Sequence, residues 1–207
     1  MRRPVLLLLL FLASALALSA GRALAIEPTS APERLQAARA VKDSLFRTSE
    51  ESPIPAAARS TFPGLRYFPY DPQYRFVGEL HVYGRRKLIE VPATGGQTLP
   101  MERYGRFIGR WEGTPFSLEV YRGLEDGALL VLFRDGTTGR ETYGGGRYAP
   151  LETAPGSLPV LDLNRAYHPY CAYNESYVCP LPPARNRLPF PALAGERLAL
   201  DGAEVAR

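Results

Sequence analysis

YRFVGELHVY, residues 74–83, is the stretch whose pattern decides the fold. Tyr74, Phe76, Gly78, Leu80 and Val82 alternate with Arg75, Val77, Glu79, His81 and Tyr83. A period of two sends alternate side chains to opposite faces, so the segment reads as a half-buried strand. Similar runs follow at 87–91, 104–111, 114–121 and 128–133, with Glu112-Gly113 and Glu125-Asp126-Gly127 placed where tight turns are needed. The pattern predicts an antiparallel meander.

Upstream the period lengthens. Ser30, followed by Pro32 and Glu33, provides a capping-box start for a helix running to about Arg47, with Leu35, Ala38, Val41, Leu45 and Phe46 as its apolar stripe. Pro53 disfavours helix in the residue before it, and Pro55 suits the first turn of a second short helix reaching about Ser60. Downstream, 164–196 is proline-rich and without period. The fold expected is mainly β, of the α+β kind: an antiparallel curved sheet or small open barrel, an N-terminal helix and an irregular Pro-rich C-terminal segment. One domain is expected over 26–207, with a helical part at about 30–60, a β core at about 73–163 and the Pro-rich segment at about 164–196.

Residues 1–25 carry Arg2 and Arg3, an apolar run from Val5 to Ala13 and the small-residue ending Ala23-Leu24-Ala25. This is the pattern of a secretory signal peptide, and Ser14, Ser19, Gly21 and Arg22 interrupt the run before it reaches the ~20 apolar residues of a membrane span. Cleavage after Ala25 is expected, an uncleaved anchor being the alternative, and the product is expected in the periplasm or secreted. The formal charge of +4 then falls, because 22 basic side chains remain against 21 acidic ones, a net charge of +1. A balanced chain has no cationic surplus to displace the counterions of a polyphosphate, so no nucleic-acid partner is expected. No stable membrane span is expected after cleavage.

Two segments could carry chemistry. In 134–148, RDGTTGRETYGGGRY, glycines and arginines could present N–H groups to an anion, or the glycines could simply turn a hairpin whose Asp135 and Thr138 bond their own backbone. The second segment holds the cysteines. Cys171 and Cys179 are the only two, and in an exported chain so close a pair reads as a disulfide. The alternative is a Cys2His2 metal site with His168 and His81, disfavoured by the spacing and by the distance of His81 along the chain. No Gly-x-Ser-x-Gly elbow or phosphate-binding Gly-Lys-Ser/Thr loop appears, and no cofactor is expected.

Thr142–Tyr148 (TYGGGRY), Asp162–Asn174 (DLNRAYHPYCAYN) and Cys179–Pro183 (CPLPP) resemble an exported bacterial family known as domain of unknown function 1684. The likeness covers most of the mature chain. It implies membership and carries no activity, ligand or catalytic residue.

Three functions follow from these residues. The first is a non-enzymatic exported module in which Arg134, Glu141, Tyr143, Arg147, Asp162, Asn164, Tyr170 and Asn174 line a pocket for a small molecule or a cell-envelope component. The second is a hydrolase-like enzyme using a carboxylate or His168 in the same place. The third is structural, the polar groups fastening irregular chain to the sheet, and full mutual hydrogen bonding among them would favour it.

Overall fold

The computed structural model describes residues 31–198, so the expected signal peptide lies outside the described residues. Helix α1 spans Ala31–Thr48, and a 3-10 turn follows at Ala56–Thr61. The strands are β1 (Arg66–Tyr67), β2 (Arg75–Val77), β3 (Glu79–Pro92), β4 (Thr98–Trp111), β5 (Thr114–Arg122), β6 (Leu129–Phe133), β7 (Arg147–Glu152), β8 (Val160–Asp162) and β9 (Glu196–Arg197). β1 pairs with β9, and the rest form one antiparallel, curled half-barrel in the order β2-β8-β7-β6-β5-β4-β3. The architecture expected from the alternation is therefore found.

Gly78 explains how the sheet curls. β2 and β3 are consecutive in the chain yet lie on opposite edges of the sheet, so the alternating run 74–83 breaks at its glycine. The Gly78 N–H donates to Pro159 O at 3.0 Å, while a Cβ on Gly78 would stand 2.2 Å from Ile108 O. Only glycine lets the edges approach this closely.

A β-bulge then sets which face each side chain meets. The β4 register shifts between Arg103 and Gly105, so Met101 and Phe107, both odd-numbered, end in different cores. Inside the curl, Phe107, Leu118, Val120, Val131, Phe133 and Leu161 pack with Leu188, Phe190 and Ala192 of the C-terminal segment. Phe190 stacks on Trp111 at 4.2 Å between ring centroids and so plugs the barrel. On the outer face Val91, Met101, Tyr121, Leu132 and Tyr148 form a second cluster. Burial on both faces is why 129–133 reads as an unbroken apolar run.

β5 and β6 pair only at Tyr121↔Leu130 and Arg122↔Leu129. Continuing that register places Glu119 opposite Leu132, and here the Asn186 side chain enters the seam. It accepts from Glu119 N at 2.8 Å and donates to Glu119 O at 2.9 Å and Leu132 O at 2.8 Å. Asn186 is fully buried, and its carboxamide takes the place of a strand.

The helix docks differently from the sequence expectation. Of the expected stripe only Phe46 is buried, whereas Val41 and Leu45 are 60% and 53% exposed. Leu35, Arg39, Lys42, Asp43 and Phe46 face the domain instead, because buried acceptors there need donors. Arg39 reaches Asn164 O at 3.0 Å, Lys42 pairs with Glu196, and Asp43 accepts from Leu65 N at 2.7 Å. Leaving buried acceptors unpaired costs more than exposing two aliphatic side chains.

Candidate functional site

The residues expected to line one pocket occupy three places. Arg147 is 1% exposed in the core, donating to Asp135 Oδ2 at 2.8 Å, Ala192 O at 2.8 Å and Glu196 O at 3.1 Å. Burial lowers its pKa, and the Asp135 charge opposes that. Asp135 in turn accepts from the Thr137 hydroxyl at 2.6 Å, and its own N–H donates to the Thr138 hydroxyl at 3.0 Å. The 134–148 loop thus bonds to itself, as in the hairpin alternative. Gly146, at φ 98°, serves the turn, since a Cβ there would stand 2.7 Å from Phe133 O. Arg134 donates to Pro182 O at 3.2 Å, and Glu141 lies 3.6 Å from Arg140 with one buried carboxylate oxygen lacking a hydrogen bond.

In a second place, Asp162 accepts from Asn164 N and from its side-chain amide, both at 2.9 Å. Asn164 in turn clamps the backbone of Asp71 through Asp71 N at 2.9 Å and Asp71 O at 2.8 Å. Tyr170, 44% exposed, packs edge-on against Phe46 and Tyr177, and Asn174 accepts from Ser176 N at 3.0 Å within its own turn.

Tyr143 belongs to the third place, beside the cysteines. Both cysteines are buried and free, which corrects the expected disulfide: the side chains are neighbours, but the sulfurs are not at bonding distance. The Cys171 N–H donates to Cys179 Sγ at 3.3 Å, so the turn at Tyr170–Ala172 holds the sulfurs in N–H···S geometry. The neighbouring Cys179 thiol first, and then the Tyr143 hydroxyl, bring the Cys171 thiol down to about 7 against the effect of burial. Burial, then Cys171, pushes the Tyr143 hydroxyl up to about 12. The Cys2His2 alternative is not assembled: His81 is exposed on β3 beside Glu79 at 3.1 Å. His168 Nε2 accepts from Tyr143 N at 3.3 Å. Among the described residues no three His, Cys, Asp or Glu side chains group as metal ligands.

The residues missed in the sequence converge on Glu196, which is 1% exposed. Its carboxylate pairs with Lys42 and accepts from His168 N at 2.7 Å, the Tyr173 hydroxyl at 2.8 Å and the Tyr67 hydroxyl at 3.5 Å. His168 Nδ1 is 3.9 Å away, but burial first, and then Arg147 and Lys42, hold the His168 pKa at about 3. The imidazole is therefore neutral and forms no ion pair. Beside this hub lies a cleft of about 120 Å³ between α1 and 164–167, walled by Leu35, Ala38, Tyr67, Ala166 and Tyr167. Arg39 lines it, its guanidinium 4.2 Å from the Tyr67 ring centroid, and Arg39 Nε is buried without a hydrogen-bond partner. The sequence signal was the spacing Leu35, Arg39, Lys42, Phe46, one helical face with two cations in it.

No helix among the described residues is long and apolar enough to cross a membrane. A comparison with curated proteins gives no match. A solved structure, the solution NMR structure of the uncharacterized protein from gene locus rrnAC0354 of Haloarcula marismortui, is similar, with 36% identity and a TM-score of 0.64. The similarity covers 81% of this chain and 94% of that one. The family model described as protein of unknown function (DUF1684) matches residues 60–197, and the chain belongs to that family.

Proposed function

We propose that the protein is a non-enzymatic, exported binding module whose ligand site is the cleft between α1 and 164–167. The observation that carries this is the Arg39 Nε–H, a buried donor with no partner on a residue lining that cleft. An orphaned donor is costly unless something accepts from it. With apolar walls from Leu35, Ala38 and Ala166, the cleft suits the acceptor end of a small amphipathic molecule, a carboxylate or phosphate monoester. At about 120 Å³ it is well below the ~300–1,000 Å³ of sites that enclose a drug-sized ligand, so it takes one end of the molecule. Export rests on the signal-peptide pattern of residues 1–25.

A hydrolase in the same region finds little support. The Glu196 carboxylate is committed to Lys42 and three further donors, and the His168 Nε2 lone pair is used by Tyr143 N–H. Neither is free to take a proton from water.

Saturation-transfer NMR with small carboxylates and phosphate monoesters tests the proposal. Arg39→Lys, which keeps the charge and removes the Nε–H, is expected to weaken the bound acids roughly tenfold. Equal affinity in the variant, or no bound acid in the panel, rejects the site.

A further inference from the structure

Cys171 and Cys179 form a second constellation, independent of the cleft. Both thiols are buried, neighbours, and not joined. Each sulfur has a donor beside it. The Cys171 N–H reaches Cys179 Sγ at 3.3 Å, and the Tyr143 hydroxyl lies next to Cys171. The backbone around Cys179 is pinned as well: its N–H donates to Thr94 Oγ1 at 3.0 Å, and its carbonyl accepts from Thr94 N at 3.0 Å. Hydrogen bonds to sulfur stabilise thiolate in a buried place, and such donors tune and orient metal-bound thiolates.

The number of ligands selects the metal. Zinc in a structural site takes four donors, and magnesium and calcium take oxygens. Here the donor set is two sulfurs, since no third His, Cys, Asp or Glu joins a ligand group among the described residues and His168 Nε2 is committed to Tyr143. Soft thiolates select soft cations, and two thiolates alone suit a cuprous ion, which needs no tetrahedral shell. We propose that Cys171 and Cys179 bind one Cu(I) between their sulfurs, with the Tyr143 hydroxyl and the Cys171 amide as supporting donors. Two thiolates and one monovalent cation leave one negative charge, which these N–H and O–H groups offset. Binding releases the two thiol protons and changes no oxidation state.

The test is an anaerobic titration of the reduced full chain with Cu(I) held by bicinchoninate, and a parallel titration with Zn(II). One equivalent of Cu(I) withdrawn from the chelator is expected, with zinc bound far more weakly. Cys171→Ser and Cys179→Ser should each abolish the withdrawal. Tyr143→Phe, which keeps both sulfurs and the ring packing, should weaken it about tenfold. Arg39→Lys should leave it unchanged, which separates this site from the cleft. Failure of the wild-type chain to compete, retention of copper by the double serine variant, or zinc held as tightly as copper overturns the proposal.

Discussion

Acidification should destabilise this protein through one residue, His168. The imidazole is buried, accepts from Tyr143 N at 3.3 Å, and is held at about 3 by burial and by the Arg147 and Lys42 charges, against 6.5 for an ordinary histidine. As pH falls below 6.5 the unfolded chain binds a proton that the folded chain refuses until about 3. The stabilisation is fully present above that window and is lost on descending through it. At 1.36 kcal/mol per unit, a drop from pH 7.5 to 5.0 removes about 2 kcal/mol, roughly 4–8 °C in Tm for a domain of this size. His168→Gln puts a non-titrating acceptor near the position of Nε2, so its guanidinium unfolding curves at the two pH values should differ by about 2 kcal/mol less than those of the wild type. His81 is common to both chains and cancels. Parallel pH dependence in the two proteins refutes the reasoning, and so does a wild type that grows more stable on acidification, which would mean that Glu196 pairs with an imidazolium.

Asn186→Ala leaves three backbone groups of Glu119 and Leu132 without partners and should cost about 3 kcal/mol by denaturant midpoint, with faster hydrogen exchange at the Glu119 amide. Asn186→Asp keeps the acceptor for Glu119 N but turns an oxygen toward Glu119 O and Leu132 O in a fully buried seam, and should cost at least as much. Gly78→Ala forces a methyl to within 2.2 Å of Ile108 O and should destabilise by about 3 kcal/mol or prevent folding, as read by yield and circular dichroism.

The architecture was legible because it rests on local period. Alternation at 74–83 and 114–121, helical spacing before Arg47 and turn residues at 112–113 and 125–127 each report on their own neighbourhood. The site was not legible, because its members meet through the fold. Lys42 finds Glu196 across 154 residues and Tyr67 finds it across 129. Arg134, Arg147 and Asp162 looked functional by residue type, yet they bond Pro182, Asp135 and Asn164 within the molecule. The α1 stripe misled for a related reason. Hydrophobic periodicity cannot register buried acceptors elsewhere, and those acceptors turned Arg39 and Lys42 inward while Val41 and Leu45 faced solvent.

The Asn186 wedge also bears on the order of assembly during synthesis. A nascent chain carries β5 and β6 long before residue 186 leaves the ribosome, 54 positions after Leu132. Until then the two strands share only their first rungs, and the gap at Glu119 stays open to water or to a neighbouring chain. Completion of the barrel thus awaits translation through residue 186, and truncation before Asn186 should yield a polypeptide that aggregates, however intact its strands.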